Sequence, residues 1–474
     1  MKAPVPLVVD LDHTLVRGDW AVEALLKVVR LGVMAWLGAL LALRRGPAAA
    51  KTWLARHIAV NPAALSLREE VVAIMDEARR AGRPVILATA AHWRIARHVA
   101  AVAGPFDAVL ASGRRRNLKG ATKLAGIRQE VGDAFDYIGD SSADRPIWQA
   151  ARIAYTVGVT PGVAHQRRLV PASNTLWALA RAMRPHQWAK NVLVFVPLVT
   201  SGALADPAQV ARALICFGCL SLIASSVYLV NDMLDIDADR AHPTKRNRPL
   251  ASGALSVPLA VAAAVAGTAA GLGLGGWLLG WSGFAALSAY WLLTLLYSLR
   301  LKAAMIADVL TLACLYSLRI AAGAAAIHVW VSFWLLLFSV FLFLSLGYLK
   351  RYVELRASHR ADHELLSGRG YTGSDEAIVA MNGVAAGMVS VLVLALFAEA
   401  MGRTGTYASP PLLWLLPLPL LYWLNRIWMM GRRGEVDSDP VAFALTDRKS
   451  VVVALLLGGI VVLAKFLPLP TGYF

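Results

Sequence analysis

Two acidic clusters in this 474-residue chain could do chemistry. The first is Asn231-Asp232-Met233-Leu234-Asp235-Ile236-Asp237-Ala238-Asp239, followed directly by Arg240-Ala241-His242-Pro243-Thr244-Lys245-Arg246-Asn247-Arg248-Pro249, so four acids and four bases fall within 18 residues. Helical spacing of three and four places Asp232, Asp235 and Asp239 on one face, with Asn231 stacked on Asp235. Oxygen ligands of this kind suit Mg²⁺, which keeps several waters and is commonly shared with substrate phosphates. Lys245, Arg246 and Arg248 could neutralise a diphosphate directly. A salt-bridged loop at a membrane surface explains the bases but not the four acids beside them.

The second cluster is spread over the first 173 residues. Asp10 and Asp12 end one apolar run, Thr89 ends another, and Gly139-Asp140-Ser141-Ser142-Ala143-Asp144 ends a third. Phosphoryl transfer needs these types: a carboxylate to attack phosphorus, a second carboxyl to protonate the leaving oxygen, and a cation with Mg²⁺ to offset charge. The elements that must position them alternate between strand-like runs (6–10, 84–89, 107–111, 136–139 and 153–157) and helical stretches. That is the pattern of a parallel α/β sheet, which binds ligands at the carboxyl ends of its strands. Residues 19–82 carry no sheet signal and read as an insertion. Within it Leu31–Leu43 is almost wholly apolar and is followed by Arg44-Arg45, too short to span a bilayer. It suits either a surface lying on a membrane or on the other domain, or a buried insertion core. Arg114-Arg115-Arg116 suits a solvated turn or a lipid-headgroup contact.

Beyond residue 173 the composition changes. The chain is 58% hydrophobic and 16% charged, with mean hydropathy +0.56 and net charge +17, which excludes disordered, collagenous and disulfide-framework classes and disfavours a nucleic-acid partner. Nine apolar runs are expected to cross a membrane, at 191–206, 208–230, 255–272, 275–298, 304–327, 330–349, 377–400, 410–429 and 449–467. Of 23 Lys and Arg after residue 173, 19 lie on one side of that topology, which makes that side cytoplasmic, keeps the N-terminus and both acidic clusters there, and puts Phe474 outside. No cleavable signal peptide is expected, because the apolar stretch Pro4–Val9 stops at Asp10. Cys216 and Cys219 read as small residues in helix packing. Arg319 lies inside the fifth span, where a charge is costly, and is expected to face a cavity and pair with Asp308 or a phosphate, or to form a purely structural pair with Asp308.

The Asn-Asp-x-x-Asp-x-x-x-Asp run after the second span resembles the signature of the UbiA superfamily of intramembrane prenyltransferases, over roughly residues 180–467. Arg184-Pro185-His186-Gln187-Trp188-Ala189-Lys190-Asn191, the segment from His242 to Pro249, Tyr297-Ser298-Leu299-Arg300-Leu301-Lys302 and Lys350-Arg351-Tyr352-Val353-Glu354-Leu355 look like one branch of it, the decaprenyl-phosphate phosphoribosyltransferases. A full second Asp-rich motif, typical of prenyl-transferring members, is replaced here by Asp308 with Arg319 eleven residues on. The resemblance implies Mg²⁺ at Asn231, Asp232, Asp235 and Asp239, and phosphoribosyl diphosphate and a polyprenyl phosphate lipid as substrates. It implies substrate contacts from Lys190, Lys245, Arg246, Arg248, Tyr297, Lys302, Asp308, Arg319, Lys350 and Arg351.

The first 173 residues resemble the haloacid dehalogenase-like phosphatases. This resemblance implies that Asp10 is the nucleophile and Asp12 the acid/base, that Thr89 and Lys119 hold phosphate, and that Asp10, Asp12, Asp140 and Asp144 form a Mg²⁺ site. The expected architecture is an α/β domain with a helical cap at 1–173 and an all-α domain of nine transmembrane helices at 174–474. The expected activity is transfer of 5-phosphoribose to polyprenyl phosphate followed by removal of the 5-phosphate, in a bacterial-type inner membrane, with homo-oligomerisation left open. Prenyl transfer from a polyprenyl diphosphate to an aromatic acceptor, with a regulatory soluble domain, is the alternative.

Overall fold

The computed structural model describes residues 4–59, 65–113, 117–160, 162–171, 174–357, 370–402, 405–436 and 439–468; Arg114-Arg115-Arg116 and Phe474 lie outside them. The chain forms two compact units, Met1–Met183 with Tyr228–Ala264, and Arg184–Val227 with Val265–Phe474. The stretch around the Asp-rich run, expected to belong with the membrane half, therefore packs with the N-terminal residues.

In the first unit the apolar runs form strands β1 (Leu7–Val9), β2 (Val85–His92), β3 (Ala108–Ser112), β4 (Asp136–Gly139), β5 (Ala154–Val157) and β6 (Gln166–Val170). All pair in parallel, in the order β3-β2-β1-β4-β5-β6. Leu7, Val8 and Val9 are wholly buried, as a central strand covered on both faces requires. Five of these strands match the expected runs. The sixth carries Gln166, Arg167 and Arg168, and its polar sequence suits an edge.

Between β1 and β2 lie α1 (Trp20–Leu31), α2 (Val33–Arg44), α3 (Pro47–His57) and α4 (Glu69–Arg80). Helix α4 returns to the sheet with Val71, Met75 and Ala78 buried on one face. Helices α1 to α3 form a separate small core of Ala24, Val28, Ala39, Leu54 and Ile58, the helical insertion expected at 19–82. In α2 the alanines Ala39 and Ala42 are buried, while Met34, Leu37, Leu40, Leu41 and Leu43 are exposed. Of the two readings of this segment, the buried insertion core fails for its large residues. The unit continues with α5 (Trp93–Ala103), α6 (Ala121–Val131), α7 (Arg145–Ala150) and α8 (Thr175–Ala182).

The remaining chain is helical: α9 (Val196–Ser201), α10 (Pro207–Leu234), α11 (Ile236–Ala241), α12 (Val257–Leu299), α13 (Ala307–Ile327), α14 (Phe333–Ala357), α15 (Glu376–Gly402), α16 (Pro417–Arg433), α17 (Pro440–Thr446) and α18 (Arg448–Phe466). Among the described residues seven helices are long and apolar enough to cross a membrane, the pattern of a multi-pass membrane protein. The nine separate spans are not found as such, for two reasons. The first, 191–206, is a 3₁₀ stretch Pro185–Phe195 followed by six-residue α9, with Pro185 and Pro197 removing backbone donors. The third and fourth correspond to the two parts of α12, counted as one helix although they meet at a kink at Gly280, where φ is +77°, and not at 273–274. Helices α13, α14, α15 and α16 share a core that includes Val309, Phe343, Leu346, Phe397 and Leu424.

Candidate active sites

The sheet order reverses around β1, whose neighbours are β2 and β4. Crossover connections leave on opposite sides there, opening a crevice at the carboxyl ends of the strands. Asp10 follows β1 directly and Asp140 follows β4 directly. Because Val9 registers with Ile138, the two carboxylates emerge side by side. Thr89 lies on the other flank, two residues past Leu87, the partner of Val9 in β2.

Among the described residues, Asp10, Asp140 and Asp144 are the group whose carboxylate oxygens all lie within 4.8 Å of one another. Thr14 Oγ1 donates to Asp140 Oδ1 at 3.0 Å, and Leu11 N–H donates to Asp10 Oδ1 at 2.8 Å. Burial and the neighbouring Asp10 carboxylate push Asp140 up to about 7. Burial, reinforced by Asp10, pushes Asp144 up to about 6. Buried Asp144 Oδ2 has no hydrogen-bond partner. Three crowded carboxylates with an orphaned oxygen fit a divalent cation, whose charge would relieve their repulsion.

Asp12 belongs to the same turn but has a different environment. Its Oδ1 accepts the Trp20 N–H at 3.1 Å, and burial together with Asp19 raises its pKa well above the usual carboxylate range. A carboxyl whose proton is held more tightly than usual is suited to protonating a leaving oxygen. It is not a member of the three-carboxylate metal group. Between Asp12 and Thr14, His13 adopts φ +55°, a strained value for a non-glycine residue and one that recurs at functional turns. Thr89 is fully buried, and its Oγ1 accepts the Ala91 N–H at 2.9 Å, leaving its own O–H to donate.

The cation of this site is Lys123. Its Nζ lies 2.9 Å from Asp10 Oδ1 and 3.6 Å from Asp144 Oδ1, and it donates to Tyr137 Oη at 2.7 Å. Burial works against its charge, but Asp10 and Asp144 outweigh that and raise its pKa. Lys119, expected in this role, is exposed. Gly120 at φ +55° turns the chain and α6 begins at Ala121, so the first helical turn carries Lys123, not Lys119, to the carboxylates. The spacing of two lysines by four residues across a glycine is the signal that could have raised Lys123 as a candidate.

The Asp-rich run spans the end of α10 and the start of α11. The helix ends at Leu234 and Asp235 takes φ −99°, ψ 13°, yet Asp235 N–H still bonds Asn231 O at 2.9 Å and Asp239 N–H bonds Asp235 O at 2.8 Å. The acids thus keep a near-helical arrangement across the break. Asp232 and Asp239 are buried and converge on Arg248, whose Nη1 lies 3.2 Å from Asp232 Oδ1 and 2.7 Å from Asp239 Oδ2. The cation these carboxylates hold is the Arg248 guanidinium, and a metal on this face must share them with it or displace it. Asp237 pairs with Lys27 at 2.5 Å. Lys245 and Arg246 are exposed.

In the second unit Arg319 and Asp308 do not meet. Eleven residues along α13 separate them by about 16 Å, and each has other partners. Asp308 forms an ion pair with Arg351, Oδ2 to Nε 2.8 Å, both side chains wholly buried, and accepts the Tyr371 O–H at 2.8 Å; Arg351 also pairs with Glu354. Arg319 donates to Asn191 Oδ1, Leu315 O and Tyr290 Oη at 2.8–2.9 Å, and its guanidinium lies about 5 Å from the rings of Tyr290 and Tyr316. These partners are neutral, so the buried charge is solvated without being cancelled. Lys190 pairs with Asp439, a residue that sequence reasoning missed because it lies far along the chain in an otherwise unremarked loop. Tyr297, Lys302 and Lys350 are half-buried.

A family model described as the UbiA prenyltransferase family matches residues 194–446. An uncharacterized protein, y4nM of Sinorhizobium fredii, is 35% identical over 472 residues, covering 97% of this chain and 91% of its own length. The decaprenyl-phosphate phosphoribosyltransferase of Mycolicibacterium smegmatis is 36% identical over 211 residues, 43% of this chain and 65% of that protein. The solved structure of a UbiA homolog from Archaeoglobus fulgidus bound to DMAPP and Mg²⁺ aligns over 60% of this chain and 99% of its own, with TM-score 0.48 and 16% identity.

Proposed function

Starting from the fact that this chain belongs to the UbiA prenyltransferase family, we propose that it is a two-step enzyme of polyprenyl lipid metabolism. One active site, at the Asp-rich run, transfers 5-phosphoribose from phosphoribosyl diphosphate to a polyprenyl phosphate, and the sheet domain then removes the 5-phosphate. The transfer step is supported by the 36% identity to a decaprenyl-phosphate phosphoribosyltransferase. The observation that carries the second step is the convergence of Asp10, Asp140, Asp144 and Lys123 at the reversal point of the sheet.

In the transfer step the lipid phosphate oxygen attacks the anomeric carbon of the ribose and diphosphate leaves. Asn231, Asp232, Asp235 and Asp239 would hold Mg²⁺, whose charge offsets that of the departing diphosphate. Lys245 and Arg246, exposed beside them, are the cations assigned to donor phosphates; in the second unit Arg319, whose hydrogen-bond partners are neutral, is a further cation suited to a substrate phosphate.

In the hydrolytic step Asp10 attacks phosphorus through Oδ2, since Oδ1 is engaged by Leu11 N–H and Lys123. The ribose oxygen leaves with the proton of Asp12. Water then gives a proton back to Asp12 and attacks the same phosphorus, breaking its bond to Asp10 and releasing phosphate. Lys123 and the Thr89 hydroxyl steady the equatorial oxygens. Asp10, Asp140 and Asp144 would hold Mg²⁺, which adds positive charge at those oxygens.

The Lys and Arg distribution supports a cytoplasmic position for both sites in a bacterial-type inner membrane. The exposed apolar face of α2, flanked by Arg44 and Arg45, supports contact of the sheet domain with the lipid surface. Purified protein supplied with phosphoribosyl diphosphate, polyprenyl phosphate and Mg²⁺ tests the first step. Release of diphosphate and formation of a ribosylated lipid support it. Consumption of a prenyl diphosphate with an aromatic acceptor instead would establish the alternative.

A further inference from the structure

Helix α1 touches both acidic clusters of the first unit. At its N-terminus the Trp20 N–H holds Asp12 Oδ1. One turn later Glu23 receives both arms of Arg240, with Nη1 to Oε2 and Nη2 to Oε1 each 2.7 Å. Arg240 directly follows Asp239, and its Nε donates to Ala251 O at 3.1 Å. The Arg240 and Glu23 side chains are 4% and 9% exposed, so the pair is shielded from water and salt. One further turn along, Lys27 pairs with Asp237, while Val22 and Leu26 pack against a core of Met233, Ile236, Leu250 and Leu255.

The chain is shaped to allow this contact. A Cβ at Gly18 would overlap Glu23 Oε1 and crowd Arg240 Nη2, and a Cβ at Gly253, where φ is +74°, would overlap the Arg17 carbonyl. One cleft is lined by Asp12, Trp20, Glu23, Lys27, Asp237 and Arg240 together. The end of the Asp-rich run and Asp12 therefore line one cleft.

We propose that Arg240 is a positioning residue for the Asp10/Asp12 site: through the bidentate pair with Glu23 it fixes α1, and through the Trp20 N–H it fixes the carboxyl that protonates the leaving oxygen. The proposal rests on the phosphatase reading above. It makes the Asp-rich segment part of the hydrolytic site as well as of the transfer site. A planar guanidinium suits this task because its two parallel bonds set orientation as well as distance.

The test uses the full-length protein in detergent with Mg²⁺ and two soluble substrates. p-Nitrophenyl phosphate has a leaving group that departs without a proton, whereas ribose 5-phosphate has an alkoxide that needs one. Because kcat/KM reports the steps through transfer to Asp10, Arg240→Ala and Glu23→Ala should lower it about tenfold more for ribose 5-phosphate than for p-nitrophenyl phosphate. Arg240→Lys should recover part of the loss, and the exchanged pair Glu23→Arg with Arg240→Glu should recover more. Thermal unfolding of each variant separates loss of fold from loss of position. Equal falls on both substrates, or none, in folded variants would overturn the proposal. Wild-type protein that hydrolyses neither substrate would instead overturn the phosphatase reading, and this proposal with it.

Discussion

Lys123 Nζ lies 2.9 Å from Asp10 Oδ1 at the carboxyl end of the central strand. A buried ammonium touching a nucleophilic carboxylate both orients the carboxylate and meets the charge that develops on a phosphoryl group. Replacing Lys123 by Met should cut hydrolysis of p-nitrophenyl phosphate by roughly 10²–10³, the usual cost of losing one electrostatic stabiliser. Lys119→Ala, at an exposed position, should change it less than about twofold. Steady-state kinetics on the two variants decide which lysine serves the site.

Crowding of Asp140 and Asp144 gives a pH signature. Their pKa values of about 7 and about 6 exceed the ordinary 3.8, so without a divalent cation the native state holds protons that the unfolded chain has lost. Stability conferred on the metal-free protein should therefore fall as pH rises from about 4 to about 7. A bound cation requires both groups ionised and reverses the penalty. The rise in unfolding temperature on adding Mg²⁺ should be small at pH 5 and larger at pH 8. A shift that is greater at pH 5 would count against a carboxylate metal site.

The parts of this molecule legible in the sequence are those where one residue type at one spacing has one physical meaning. Five apolar runs gave five parallel strands, and Asp10 and Asp140 came together because they follow neighbouring strands of such a sheet, with Asp144 one turn beyond Asp140. Lys123 was illegible because which of two lysines faces the carboxylates depends on where Gly120 starts a helix. The Asp308–Arg351 pair was illegible for a different reason: it joins α13 to α14, and nothing in linear spacing favours Arg351 over Arg319 as the partner. The break at Gly280, rather than at 273–274, reflects a glycine at positive φ that composition alone does not distinguish from the other glycines of α12.

Those two arginines should respond oppositely to mutation. Asp308→Ala removes one of the two carboxylates of wholly buried Arg351, leaving Glu354, and should lower the unfolding temperature in detergent, by less than the about 3–5 kcal/mol that a buried charge stripped of its partner typically costs. Arg319→Gln removes a charge whose partners are neutral, so stability should change little while transfer from phosphoribosyl diphosphate falls at least about tenfold. Unfolding curves and transfer rates on both variants separate the two roles.

Leu37 and Leu41 are each about half exposed, on one face of α2. Converting both to Glu should leave hydrolysis of p-nitrophenyl phosphate unchanged but slow hydrolysis of a membrane-embedded phosphoribosyl lipid, since apolar burial at the interface is lost and anionic lipid repels the new charges. Equal rates on the lipid substrate would show that α2 does not engage the membrane during turnover.

A phosphatase joined to a membrane transferase makes physical sense if its substrate stays in the bilayer, held there by about 0.8 kcal/mol for each buried CH₂ of the polyprenyl chain. The most direct measurement is mass spectrometry of the lipid formed from phosphoribosyl diphosphate and polyprenyl phosphate by wild-type and Asp10→Asn proteins. The two-step account predicts that wild type yields the dephosphorylated ribosyl lipid with inorganic phosphate, and that Asp10→Asn accumulates the 5-phosphorylated lipid. The same lipid product from both proteins would contradict it.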